Sequence, residues 1–521
     1  MAKKIKEYCP SKWVYILFFT LPIVYTLLMV KSPDNDMWYL LSEGRYILNH
    51  GIYHIDPLSM HQGFEIIVQN WLSASIFYTL YTLFGEMGLI SFVVLFNFFI
   101  CLLLYKVCMQ ISDRNKILSI VTMFIVDINL TSHFVVTRPQ VISFVILLAL
   151  ILVLEKYIQK ENPKILIWIP ILSLLEINLH ASLWWMLFLF MLPYVIDSFK
   201  IPFLNTQGFK KKPLFIAILI AFLVGFINPY GYKAITFIFT SFSDPTMHRY
   251  INELLPFTFG ANYLCNHMAI IIIITTLIYV LYRKGNIRIR YVCLYCGTLI
   301  LGMLSVKGFS HFILVSIFPI AYFLKDVFPK DFDDIYATFK RVITIIIASF
   351  GCAALVFATA LYIRDFNTFK LKNTLEDAVN VMAQKANSNS TVYSSFNDGG
   401  YIEFRGFKPY IDPRAEVYLK INNKKADIFK ENYDVQHGTI KAQEFIEKYN
   451  FDFMVVAYND ALVNYLQKED AETNYFVIYD NFETKYRVYA RNDLYDDNER
   501  NEIISNYTQA VNIAKEKSAN K

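Results

Sequence analysis

Long apolar runs recur along most of this chain and limit what it can become. A helix crossing a bilayer needs about 20 mainly apolar residues. By that rule about eleven segments qualify: 13–30, 87–105, 117–135, 141–157, 165–179, 183–199, 214–227, 263–282, 291–306, 309–324 and 342–363. Segment 71–84 is shorter and more polar, and is predicted to be an interfacial helix. The chain has 521 residues, of which 55% are hydrophobic and 18% charged. A soluble domain rarely has that balance, whereas a polytopic membrane protein does. The expected fold class is therefore mostly α: a polytopic transmembrane helix bundle followed by a small C-terminal extracytoplasmic α/β domain.

The positive residues give an orientation. Lys3, Lys4, Lys6 and Lys12 precede the first span, and later basic clusters, such as Lys210, Lys211 and Lys212, fall in short loops. All lie on one side if the spans alternate, so the positive-inside rule places the N-terminus in the cytoplasm and everything after residue 363 outside. The net charge of +5 is small, and these clusters read as topology signals rather than a nucleic-acid surface. The first span has no small-residue cleavage site after it and is read as retained. Cys293 and Cys296 lie one helical turn apart in an apolar run, which reads as helix packing.

This topology gathers the unusual polar residues on the outer side: Asp34, Asp36, Arg138, Asn178, His180, Asn228, Glu253, Lys307 and His311. Charged groups near a membrane are costly and usually functional. Asp34 and Asp36 follow directly on the first span. Ser32 and Pro33 suit a helix start there, and 49–51 a stop. Helical spacing places Met37, Leu40, Leu41, Gly44 and Leu48 on an apolar face, and Asp36, Tyr39, Glu43 and Tyr46 on the wet face.

Composition changes after residue 363. Strands are predicted at 391–396, 401–405, 453–457, 476–479 and 487–490, and helices at 373–386, 424–433 and 441–449. The domain plan is a transmembrane part over 1–363, including a first extracytoplasmic loop of about 31–86, an α/β domain over 364–495, and a polar tail with weak helical patterning over 496–521. No cysteine follows Cys352, so the α/β domain must fold without disulfides.

The motif series is Asp34-x-Asp36-Met-Trp-x-Leu, Gly44-Arg45, Asp56-Pro57, Gln69-Asn70-Trp71-Leu72-Ser73, Arg138-Pro139-Gln140, Asn178-x-His180, Asn228-Pro229-Tyr230-Gly231, Asn397-Asp398-Gly399-Gly400-Tyr401 and Asp412-Pro413-Arg414. In this order it resembles a family of bacterial polytopic proteins of the GT-C glycosyltransferase superfamily. The resemblance implies transfer of a hexosyl or pentosyl group from a polyprenyl-phosphate sugar to a glycan, lipid or protein acceptor outside the membrane, with the catalytic acid in the first loop. His311 departs from the pattern, standing in Gly-Phe-Ser-His-Phe where an Arg-Asn pair is expected.

Such a reaction needs a base for the acceptor hydroxyl, positive charge or a metal for the departing phosphate, and an apolar groove for the lipid. Asp36, or Asp34, can be the base. The pair can alternatively hold Mg²⁺ or Mn²⁺, and Asp34 can simply cap its helix. Arg138, His180, Asn178, Asn228, Glu253, Lys307 and His311 are the candidate substrate-binding residues. The simpler readings are a snorkelling Arg138, a turn at Asn228, a turn at Asp398-Gly399-Gly400 and a structural ion pair between Asp412 and Arg414. The other function classes are a polymerase or ligase of lipid-linked glycans, and a non-catalytic transport or assembly protein. A transporter would favour midplane charges and paired repeats, and neither is present in the sequence.

Overall fold

The computed structural model describes residues 10–29, 35–256, 287–325, 374–467 and 474–519. The chain divides into two compact units. One comprises Met1–Pro33, Leu80–Ile238 and Ile251–Phe369; the other comprises Asp34–Thr79, Phe239–Tyr250 and Lys370–Lys521.

The first unit is helical. Its elements include α1 (Pro10–Met29), α4 (Lys116–His133), α5 (Gln140–Lys160), α6 (Trp168–Leu179), α7 (Trp184–Asp197) and α8 (Lys212–Val224), with further helices at Ile289–Leu304, Phe309–Val315 and Phe318–Leu324. The helix α3 (Trp71–Ile111) breaks at Gly85, whose φ of 61° and ψ of −151° are not helical. The 71–84 stretch is thus a helical piece separate from the apolar run that follows. The helix α5 packs against α6 and α7, and α6 against α8.

Among the described residues, three helices are long and apolar enough to cross a membrane: Trp71–Ile111, Lys116–His133 and Gln140–Lys160. Shorter apolar helices are Phe18–Met29, Ala181–Asp197, Lys212–Val224, Ile289–Leu304 and Phe309–Leu324. The predicted span at 165–179 is divided between a 3₁₀ turn, Pro163–Ile167, and α6. Chain-breaking residues and tight turns account for the shortening, because they interrupt the helical hydrogen-bond ladder. The predicted spans at 263–282 and 342–363 lie outside the described residues.

Polar links join these helices. Asn97 donates to Thr26 Oγ1 at 2.7 Å and to Asp127 Oδ1 at 2.8 Å, linking α3, α1 and α4. Arg290 donates to Glu155 at 3.0 Å and to Asp197 at 2.6 Å, linking Ile289–Leu304 to α5 and α7. A buried charge needs such partners.

The second unit contains a five-stranded sheet in the order β2-β1-β3-β5-β4, from β1 (Thr391–Tyr393), β2 (Lys408–Pro409), β3 (Phe453–Ala457), β4 (Tyr475–Asn481) and β5 (Tyr486–Arg491). The β1 strand runs parallel to β2 and β3, while β5 is antiparallel to β3 and β4. Phe453, Met454, Val455 and Val456 are buried on β3, whereas Val477 on β4, expected from the sequence to share that core, is only half-buried. One prediction is corrected: residues predicted as a strand at 401–405 belong to a short helix, Gly399–Phe404. The polar tail forms a helix, Asp497–Ala519.

The same unit includes the loop helix α2 (Asp36–His50), which ends at Gly51 with a φ of 85° that favours glycine. The helix α2 packs on Gly399–Phe404. A Cβ on Gly399 would stand 1.8 Å from the Ile411 carbonyl oxygen, so only glycine permits this approach.

Candidate functional site

In the first unit, Arg138 stands just before α5, where Pro139 opens the helix. It donates to Glu253 Oε1 at 2.7 Å. Lys307 Nζ lies 3.7 Å from Glu253 Oε2, and backbone bonds from Lys307 to Glu253 and from Val306 to Leu255 hold the two segments together. Burial alone would raise the Glu253 carboxyl, but Lys307 and Arg138 outweigh it and hold the group below the ordinary carboxylate range. Two cations share one carboxylate. Among the described residues, two cations thus stand beside one carboxylate at a partly exposed position, which suits an anionic ligand.

The first turn of α5 extends this polar face inward. Gln140 donates to Ser310 Oγ at 3.0 Å, and Ser143 Oγ meets His180 Nδ1 at 2.9 Å. His311 is buried, with its ring edge-on to Phe144 and Phe190. Asn178 and Asn228 make hydrogen bonds to backbone carbonyls. Asn178 donates to Ile227 O at 3.0 Å. Asn228 donates to Gly225 O and Gly231 O at 2.8 and 3.0 Å, and accepts from the Tyr230 amide, which is turn chemistry.

In the second unit, Asp36 is the first residue of α2 and is half-buried. Asp34 lies outside the described residues. Trp38 packs against Tyr401 and Phe404, with ring centroids 5.0 and 4.9 Å apart. Arg45 donates to Glu403 O at 3.3 Å. These contacts clamp the Asp36 helix onto Gly399–Phe404.

Beneath that contact lies a fully buried guanidinium. Arg414 meets Asp412 through Nε at 2.9 Å and Nη2 at 2.7 Å, Asp56 at 2.8 Å, Glu403 at 3.1 Å and Glu43 at 3.9 Å. Tyr418 donates to Asp412 as well. One cation cannot balance four buried carboxylates. Burial dominates at Glu43 and pushes its carboxyl up to about 8, and it raises Glu403 well above the ordinary range. At Asp412 burial is opposed by Arg414 and its hydrogen bonds, which hold the group low. The expectation that Glu43 faces water is therefore corrected: it is 3% exposed, while Leu48, predicted to be apolar-facing, is 53% exposed. The wet stripe predicted for α2 does not survive at Glu43, because its face is covered by residues more than 300 positions away.

No protein-family model matches the chain, and no curated protein matches its sequence. Solved structures do. The archaeal oligosaccharyltransferase AglB from Archaeoglobus fulgidus, in complex with an inhibitory peptide and a dolichol-phosphate, superimposes with a TM-score of 0.59 at 11% identity, over 92% of this chain and 74% of that one. The A. fulgidus oligosaccharyltransferase tethered to an acceptor peptide gives 0.57 at 12% identity, with the same coverage. ArnT from Cupriavidus metallidurans in the apo state gives 0.50 at 11% identity, over 93% of this chain and 99% of that one. The chain shares the fold of these structures.

Within this fold, the structure brings Arg138, Glu253 and Lys307 together, with His180 in the field of Lys307 and His311. It places Asn228 in a turn. Among the described residues, no group of three or more His, Cys, Asp or Glu side chains could hold a metal ion. Sequence reasoning missed Ser143, Glu176 and Ser310, which surround the histidines. Glu176 had a signal: a carboxyl inside an apolar run, one helical turn before His180.

Proposed function

We propose that this chain is an integral membrane glycosyltransferase that moves a hexosyl or pentosyl group from a polyprenyl-phosphate donor to an extracytoplasmic glycan, lipid or protein acceptor. The observation that carries this reading is the Arg138–Glu253–Lys307 cluster, in which two cations meet one carboxylate, in a chain that shares its fold with AglB and ArnT. Asp36 takes the proton of the acceptor hydroxyl as the oxygen attacks the anomeric carbon. The bond from that carbon to the phosphate oxygen breaks, and the cations of the cluster meet the charge on the departing phosphate. The cytoplasmic N-terminus and extracytoplasmic C-terminal region belong to the same reading, as do the aspartates as a Mg²⁺ or Mn²⁺ site.

The test is sugar transfer in liposomes from synthetic polyprenyl-phosphate sugars. The wild type should transfer, and Arg138→Gln with Lys307→Gln should raise the donor KM by about tenfold or more, the scale of charge-assisted hydrogen bonds. A folded wild type that transfers from no polyprenyl-linked donor overturns the reading. Because AglB is named an oligosaccharyltransferase, transfer of a whole lipid-linked glycan is the second reading. Donors carrying one sugar and donors carrying an oligosaccharide separate the two.

A further inference from the structure

Glu253 divides its two carboxyl oxygens between two cations. Oε1 accepts from Arg138 Nη1 at 2.7 Å, and Oε2 stands 3.7 Å from Lys307 Nζ. The second distance lies within ion-pair range but is too long for a hydrogen bond. Carboxylates and phosphates both spread acceptor oxygens on one central atom, and arginine and lysine bind either. A phosphate taken up by this pair of cations therefore meets a carboxylate already in its place. Burial would raise the Glu253 carboxyl, but Lys307 and Arg138 hold it below the ordinary range, so it is an anion at neutral pH.

The backbone of Glu253 is fixed while its side chain is not. Glu253 lies in the 3₁₀ turn Asn252–Leu254, whose Leu254 is buried. The Lys307 amide donates to Glu253 O at 2.9 Å, and the Val306 amide donates to Leu255 O at 3.1 Å. The Glu253 side chain is 44% exposed, more than Arg138 at 19% or Lys307 at 37%. Rotation about its side-chain bonds can carry the carboxylate into water without moving the segment that presents Lys307. Water solvates the released carboxylate, and a partly exposed ion pair is given up at small cost. We propose that Glu253 is a tethered competing anion: it yields Arg138 and Lys307 to the phosphate of the lipid-linked donor, and retakes them as the polyprenyl phosphate product leaves. The lipid-linked phosphate as occupant rests on the transferase reading; the competition for the two cations does not.

The experiment titrates the full chain in detergent with farnesyl phosphate, with farnesol as the uncharged control and inorganic phosphate as the lipid-free one. The wild type should bind farnesyl phosphate more tightly than either control. Glu253→Gln and Glu253→Ala should both bind it about fivefold more tightly still, the upper scale for a partly exposed ion pair, with farnesol binding unchanged. Removing a negative charge also favours phosphate by general attraction, and Arg138→Gln separates that effect from displacement. In the Arg138→Gln background the gain from Glu253→Gln should shrink below about twofold, because the two residues are coupled. In liposomes, Glu253→Gln should lower the donor KM, and polyprenyl phosphate should inhibit it at lower concentration than the wild type. Phosphate affinity that is unchanged or weaker in both Glu253 variants overturns the proposal, since the carboxylate would then be holding the cations ready for the ligand. An equal gain in the Arg138→Gln background overturns it too. Inorganic phosphate bound as tightly as farnesyl phosphate upholds the competition and overturns the lipid-linked occupant. A gain in phosphate affinity in a protein transferring nothing from any polyprenyl-phosphate donor upholds the competing anion and sinks the transferase reading instead.

Discussion

Arg414 donates to Asp56 across 2.8 Å, and neither side chain is more than 1% exposed. The two residues lie 358 positions apart, so the first loop and the C-terminal region share one buried charge network. A region beginning near residue 373 does not hold that network by itself. It lacks Asp56 and Glu43, and the compact unit to which it belongs includes Asp34–Thr79.

Removing the guanidinium should be severe. Arg414→Met would leave Asp412, Asp56, Glu403 and Glu43 facing one another without a cation, and should cost about 3–5 kcal/mol, the usual penalty for breaking a buried ion network from one side. Thermal unfolding followed by tryptophan fluorescence, with limited proteolysis after residue 374, measures it. A change below about 1 kcal/mol would mean the carboxyls carry protons and need no cation.

The same network predicts a pH dependence. Burial raises the Glu43 carboxyl from 4.5 to about 8. Between these values the folded chain holds a proton that the unfolded chain has released, so the unfolded state binds fewer protons and stability falls as pH rises. The contribution is fully present below about 4.5 and lost on passing 8. The slope for one group approaches about 1.4 kcal/mol per pH unit. Glu43→Gln should flatten the decline and leave the protein more stable than the wild type at pH 8. Melting temperatures across this range decide the matter.

Asp36→Asn keeps the size of the side chain and removes the base. Turnover from a polyprenyl-phosphate donor should fall about 10²–10⁴-fold, with the melting temperature and donor affinity nearly unchanged. A titration with Mg²⁺ and Mn²⁺ on the wild type and on Asp34→Asn separates a base from a metal ligand. Full activity in Asp36→Asn would remove this residue from the reaction.

Two glycines should respond in opposite directions. In Gly399→Ala the new methyl would meet the Ile411 carbonyl at 1.8 Å, and backbone must shift. A loss of about 1–3 kcal/mol is expected from overpacking of this kind. Gly297, inside the Ile289–Leu304 helix, has nothing within 4 Å of an added Cβ. Gly297→Ala should stabilise by up to about 1 kcal/mol through helix propensity. Denaturation midpoints of the two variants, measured side by side, test both.

What the sequence determined by itself is what depends on neighbours along the chain. Apolar runs of a given length dictated helices, since a hydrophobic segment must satisfy its own backbone. Short apolar and aromatic runs marked β3, β4 and β5, and Asn228-Pro-Tyr-Gly was already a turn. The series of polar residues read from the sequence also included Arg138, Glu253 and Lys307, which meet at 2.7 and 3.7 Å. Only the tertiary structure decided what depends on distant partners. Periodicity placed Glu43 toward water because nothing nearby indicates that Arg414 arrives from the other end of the chain. Tyr401-Ile-Glu-Phe-Arg alternates like a strand, yet folds as a helix because Gly399 allows close contact with Ile411 and Trp38 covers Tyr401 and Phe404. Propensity over five residues is worth less than burial of that aromatic cluster. Ser143 carries no local mark of its relation to His180, since two helices had to pack before its hydroxyl could stand 2.9 Å from the ring.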